Sequence, residues 1–344
     1  MKKIKKFAQK NAILKNLYTP AGKLYYGLEK TIKSLLITPF KPLLLHLMRL
    51  MVQTGEGTDD CLKHGFLPMP VHFYSPIPDI QDLKERKIWD RVSELKGINF
   101  RVKEQLDYLK KLGESYGHEC LWPQNKTPHP FEYYTHNGNF SYGCAAALHT
   151  IIRMNKPKHI VEVGSGHSSW VISAALQKNK LDDSAYECQY LVIDPYPSIE
   201  GLPGLSQLIK SRVELVSESV FSILEENDIL FIDSGHTVRI GGDVNFLYLD
   251  IIPSLKPGVY IHAHDINLPY EYPEVYYTNP VFRVFWTEAY LLQAFLAFNH
   301  DFEVVLAMNY IQTNYMDKFC EAFPHFDLKS NWANSGSFWI RRKQ

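Results

Sequence analysis

From about Phe140 onward the chain alternates short apolar runs with stretches of helical periodicity. That alternation predicts a parallel sheet with crossover helices. Seven runs read as strands: residues 159–163, 190–193, 213–216, 229–232, 259–262, 302–307 and 338–340. The second and fourth end at an acid, Asp194 and Asp233. A helix is expected to start at about Ser168, and a longer one to cover residues 288–298. Upstream the texture changes. Phe100, Leu106, Leu109 and Leu112 mark one face of a helix, with Gly113 as a stop signal. Pro123, Pro128 and Pro130 then carry a loop. Earlier still, Leu43, Leu44, Leu47, Leu50 and Met51 form an amphipathic stripe with Arg49 on its flank. The pattern divides the chain into a basic amphipathic arm over 1–65, an accessory helical region over 66–135 and a sheet domain over 136–344. The expected fold is α/β: a Rossmann-like seven-stranded sheet with helices on both faces, plus a mainly helical N-terminal region.

Composition alters this picture in one place. The formal charge is +0, so net charge argues for no nucleic-acid partner. Residues 1–50, however, carry eleven Lys and Arg against Glu29 alone. Such an arm suits an anionic membrane surface, a partner such as a second copy in a homodimer, or a helix folded back on its own domain. The apolar stretch over residues 35–52 is broken by Pro39, Lys41, Pro42, His46 and Arg49, so it is not read as membrane-spanning. The five cysteines are scattered, which suits a reducing compartment and opposes a disulfide framework or a structural zinc. With no signal-peptide pattern at the N-terminus, the expected location is cytoplasmic, with peripheral contact at the inner face of the membrane through the arm.

Ile160-Val161-Glu162-Val163-Gly164-Ser165-Gly166-His167-Ser168-Ser169 carries the most chemistry. A buried strand runs into a glycine pair and then a helix start, where the backbone approaches a ligand closely and unpaired N–H groups are on offer. A pyrophosphate-binding fingerprint needs a third glycine, and Ser168 stands there instead. Glu162, before the turn, is placed to bond a cofactor amine. Asp194 is placed to take the two hydroxyls of a ribose, and Ser217 with Glu218 to read an adenine edge. These groups make a site for an adenosyl amino acid.

The segment Glu162-Val163-Gly164-Ser165-Gly166 resembles motif I of class I S-adenosylmethionine-dependent methyltransferases, and Asp194 resembles their ribose-binding acid. The run Asp228-Ile229-Leu230-Phe231-Ile232-Asp233-Ser234-Gly235-His236, then Gly242-Asp243-Val244, Leu255-Lys256-Pro257-Gly258 and His262-Ala263-His264-Asp265-Ile266, resembles the bacterial methyltransferase domain 24-like branch. The resemblance covers about residues 140–344 and extends loosely to residues 72–79. Residues 178–187 depart from the family spacing and read as a surface insertion. The resemblance implies S-adenosyl-L-methionine as cofactor, held by Glu162, Gly164, Ser165, Gly166, Ser168, Asp194, Ser217, Glu218 and Asp233.

Methyl transfer from a sulfonium is an in-line displacement that needs a positioned nucleophile and a route for its proton. Two clusters at strand ends qualify: Asp233 with His236, and His262, His264 and Asp265. Asp233 and Asp265 resemble the carboxylate ligands with which catechol-type and macrolide-sugar O-methyltransferases hold a divalent ion such as Mg or Mn. Alternatively His264 or His236 serves as general base, oriented by an acid. His262 is expected only to bond within the core. Tyr142 is expected near the sulfonium, and Leu268-Pro269-Tyr270-Glu271-Tyr272-Pro273 is expected to form a substrate-facing lid. The expected activity is O-methylation of a small polar acceptor, a glycan or a secondary metabolite. The competing functions are a nicotinamide-dependent Rossmann oxidoreductase and an inactive cofactor-binding scaffold.

Overall fold

The computed structural model describes residues 38–279, 283–329 and 335–343. The basic residues before Thr38 lie outside the described residues. Two compact units divide between Gln81 and Asp82. The first contains the helices Thr38–Thr54 and Thr58–Lys63. The helix Val102–Tyr116, expected to belong to a separate accessory region, is part of the second unit. It packs on the helices Tyr142–Asn155 and Met316–Ala322 and against the sheet.

The second unit is built on one seven-stranded sheet: β1 (His159–Val163), β2 (Gln189–Ile193), β3 (Gln207–Ile209), β4 (Ile229–Ile232), β5 (Tyr260–Ala263), β6 (Phe302–Ala307) and β7 (Phe338–Arg342), in the order β3-β2-β1-β4-β5-β7-β6. This is a Rossmann-like α/β fold. β1 to β5 are parallel, and β7 inserts antiparallel between β5 and β6. The central strands are buried along nearly their whole length, which explains why they read as continuous apolar runs rather than alternating ones. From β1 the chain crosses to β2 through the helix His167–Asp182, while from β4 it crosses the other way to β5. Right-handed crossovers in opposite directions put their helices on opposite faces and leave a crevice between β1 and β4 at the carboxyl edge.

Three local expectations are corrected. The run at residues 213–216 is not the third strand: β3 lies earlier, at Gln207–Ile209, and Val213–Leu215 forms a 3-10 turn. The run has β-branched residues, but its N–H groups are spent within the turn: Leu215 N–H donates to Arg212 O (3.1 Å) and Val216 N–H to Val213 O (3.0 Å). Gly113 does not stop its helix. A Cβ there would stand 2.4 Å from Ala322 Cα, so the glycine permits two helices to touch. Residues 178–187 are not wholly a surface insertion, because Lys178 to Asp182 complete the helix that follows β1. Asn179 in that turn is fully buried and donates to the Ile152 carbonyl.

Gly164 fixes the crevice. Its φ is +84°, and a Cβ would lie 1.9 Å from the carbonyl oxygen of Asp233. Its N–H donates to Ile193 O (2.9 Å), while Asp233 N–H donates to Val163 O (2.9 Å). The ends of β1, β2 and β4 are thereby tied together. Gly164→Ala adds both an overpacked contact and left-handed strain, so a loss of about 2–4 kcal/mol is expected; chemical denaturation measures it, and an unchanged midpoint would contradict this packing.

Candidate functional site

A cavity of about 370 Å³ opens at the crevice. The end of β1 (Val163, Gly164, Ser165), the end of β2 (Ile193, Asp194) and the end of β4 (Asp233, Ser234, Gly235) line it, with Arg212, Val213 and Glu214 forming another wall. A Cβ on Gly166 would meet nothing within 4 Å, so the loop leaves open space where a ligand can approach its backbone. Asp194 Oδ2 accepts from Ser165 N–H (2.9 Å) and Oγ–H (2.6 Å), and Oδ1 accepts from Tyr196 N–H (2.6 Å). The carboxylate therefore locks the glycine loop while lining the cavity.

The walls are acidic. Arg212 pairs with Glu214 (3.1 Å) and Arg239 with Asp243 (3.7 Å), so among the described residues neither Asp194 nor Asp233 pairs with a guanidinium. Such a cavity attracts a cation and repels a pyrophosphate. The cationic, phosphate-free adenosyl sulfonium fits it better than a dinucleotide.

Several predicted residues stand elsewhere. Glu162 is fully buried beneath the loop, not open to a cofactor amine. Its Oε1 accepts from Ser168 (2.7 Å), its Oε2 from Ser169 (2.8 Å), and Tyr190 of β2 also donates to it. Ser168 is consumed in that bond. Strand alternation turns Glu162 away from its apolar neighbours and under the helix start. Ser217 and Glu218 lie outside the cavity lining: Ser217 caps a turn for Ser219 N–H, and Glu218 is exposed. Their expected place is taken by Arg212, Val213 and Glu214, because β3 ends sooner than the pattern suggested. Tyr142 begins a helix, donates to Cys120 O (2.9 Å) and packs against Trp122 and Phe326 rather than lining the cavity. From the same loop, buried Phe140 sets its ring 5.0 Å from that of His264.

Beside the cavity, Asp233, His236 and Asp265 each present one ligand atom, all within 4.8 Å of one another. Asp233 also lines the cavity, so the two sites share a residue. His236 and Asp265 both adopt left-handed backbone (φ +55° and +56°), strain of a kind that concentrates at functional positions. Glu288, fully buried, accepts from His236 Nδ1–H (2.8 Å) and from Tyr248 O–H (3.0 Å). With Nδ1 committed, His236 Nε2 faces Asp233 Oδ1 (3.2 Å) and Asp265 Oδ2 (3.7 Å). Burial lowers the His236 pKa, but Asp233 and Glu288 outweigh it and hold the ring well above its ordinary value. Burial likewise raises Asp233, yet His264 and His236 hold its carboxyl below the usual range. Solvent still reaches Asp233, whose side chain is 31% exposed.

Two carboxylates and an imidazole backed by a carboxylate fit a divalent ion. The set contains His236, which the sequence placed among the catalytic groups. His264 is 3% exposed, its Nε2 is 3.8 Å from Asp265 Oδ1, and its buried Nδ1 has no hydrogen-bond partner among the described residues. His262 is fully buried, bonds Ser337 Oγ (2.9 Å) and stacks on Phe231. Burial and then His264 push it well below the ordinary imidazole value. The sequence did not single out Glu288, which lies 52 positions from His236 and within a helix of mostly apolar residues. The lid stretch lines a separate cavity of about 240 Å³ with Arg91, Ser93 and the helix Glu288–Leu296.

Residues 161–266 match the family described as "Methyltransferase domain". An uncharacterized protein of Archaeoglobus fulgidus is 34% identical over 203 residues, which covers 55% of this chain and 87% of that relative. The family match spans the glycine loop, Asp194 and the Asp233–His236–Asp265 cluster, and ends before Glu288.

The Glu162 carboxyl gives a sign-specific expectation. Burial raises it from 4.5 to about 7 despite its three hydroxyl donors. Between those values the folded chain holds a proton that the unfolded chain releases, so stability falls as pH rises through that window. Glu162→Gln stays neutral throughout. Its melting temperature is expected to decline less than the parent's between pH 4.5 and pH 8; parallel declines would refute a proton on Glu162.

Proposed function

The chain belongs to the class I S-adenosylmethionine-dependent methyltransferases, and we propose that it methylates a hydroxyl of a small polar acceptor, a glycan or a secondary metabolite, with assistance from a divalent ion. The observation that carries this reading is Asp233, shared by the acidic cavity and the three-residue ligand cluster. On this reading the methyl donor's pocket and the place of proton removal lie side by side.

When bound, S-adenosylmethionine supplies an electrophilic methyl on a sulfonium. The chain's part is to hold the reactants in line and manage one proton. Gly164, Ser165 and Asp194 give the donor a fixed floor, and the Asp194 carboxylate that lines it favours its positive charge. Asp233, His236 and Asp265 would hold Mg or Mn, whose charge orients an acceptor hydroxyl and lowers its pKa. Glu288 keeps His236 in the tautomer that presents Nε2. His264, whose Nε2 lies 3.8 Å from Asp265 Oδ1, would serve as base for the hydroxyl proton with or without the ion.

Aromatic faces border the cluster: the Trp286 ring lies 4.5 Å from that of His236 and 4.8 Å from that of Tyr276. Burial and then the Asp265 carboxylate push the Tyr276 hydroxyl up to about 12. Such faces suit the ring of a sugar or a phenol. The acidic walls work against the nicotinamide alternative, whose pyrophosphate they would repel.

Calorimetry with S-adenosylhomocysteine is expected to show binding, weakened on the order of ten- to a hundredfold in Asp194→Ala if one charged hydrogen bond is lost. No heat with the folded parent would end the methyltransferase reading. Asp265→Ala is expected to keep that affinity while losing Mn binding, read by electron paramagnetic resonance, and to lose turnover across a panel of sugar and phenol acceptors. Glu288→Gln should weaken Mn by about tenfold or more. Retained Mn affinity in Asp265→Ala would remove the metal from the proposal.

A further inference from the structure

The helix Thr38–Thr54 has no buried residue. Phe40, Leu43, Leu44, Leu47 and Met48 recur at helical spacing and are between 41% and 56% exposed. A run of large apolar side chains at this exposure normally has a covering partner. The helix carries Lys41, His46 and Arg49 and no acid. It extends a wider charge asymmetry: residues 1–50 hold eleven basic residues and one acidic, whereas residues 51–344 hold 26 basic and 36 acidic.

Charge selects among the surfaces that might cover it. A second copy would bring another positive helix against the first, and like charges oppose that pairing. An anionic lipid surface satisfies both features at once, taking the apolar stripe into the acyl boundary and the cations among the headgroups. Lys41, His46 and Arg49 interrupt its apolar residues, which opposes a span across a bilayer's hydrocarbon core. Among the described residues no helix is long and apolar enough to cross a membrane. An orientation in the plane of the surface follows.

We propose that the helix Thr38–Thr54 is an in-plane anchor for an anionic lipid bilayer. The stem carbons of Lys41 and Arg49 extend its apolar contact while their charged ends reach the headgroups. The inference does not rest on the methyltransferase reading, and its test uses neither cofactor nor acceptor.

The test is flotation of the full chain with phosphatidylcholine vesicles, with and without about 30% phosphatidylglycerol. The parent is expected to float with the anionic vesicles at least tenfold more than with neutral ones, and to be released in about 1 M salt, where the screening length falls to about 3 Å. The double variant Leu44→Glu, Leu47→Glu changes two exposed side chains, so it is expected to keep the parent's melting temperature and to stay at the bottom of the gradient. No flotation of the parent, equal flotation with neutral vesicles, or flotation of the variant would overturn the proposal. So would sedimentation without lipid showing a dimer that the same substitutions dissociate, since the stripe would then belong to a second copy.

Discussion

The contact between Gly164 and the Asp233 carbonyl is the constraint on which the site depends. No side chain fits between them, so the loop after β1 and the end of β4 stay in register at the point where the sheet's winding reverses. Moving them apart by the width of a methyl group would separate the floor of the cavity from the Asp233–His236–Asp265 cluster. Stability and chemistry meet in that one close approach, which only a glycine with positive φ permits.

Electrostatics then divides the acids of this edge into two kinds. Glu162 is sealed below the loop, held by three hydroxyls, and works as a tether between β1, β2 and the following helix. Asp233 and Asp265 remain partly open and face an imidazole that Glu288 orients from behind. Burial favours the neutral form of a carboxyl, whereas adjacent imidazoles favour the ionised one. The same residue type is therefore a sealed structural tie in one place and a partly open group beside an imidazole in another, decided by what surrounds it. The left-handed backbone at His236 and Asp265 marks where this arrangement departs from a relaxed chain.

Much of the sheet was legible because buried parallel strands write themselves as apolar runs. β1, β4 and β6 occupy the predicted residues, and the glycine loop and both acid-terminated strands are where the pattern put them. β3 was misplaced because Val213 to Val216 carry the right residue types, and only strand pairing distinguishes a 3-10 turn from a short edge strand. Gly113 was read by its intrinsic preference, which the packing of Ala322 overrides. Asp233, His236 and Asp265 stood out as ionisable groups at strand ends. Glu288 did not, since an acid at the start of an apolar helix looks like an ordinary partner for the helix dipole. Its role needs the fold, which brings residues 236 and 288 to hydrogen-bond distance.

The placing of β7 also bears on how the molecule is made. It is seventh in sequence yet sits inside the sheet, pairing with β5 on one side and β6 on the other. During synthesis the edge of β5 next to the histidines thus stays open until Phe338 and its neighbours leave the ribosome, and the hydroxyl of Ser337 that bonds His262 arrives with them. An unpaired, apolar edge invites association between nascent chains.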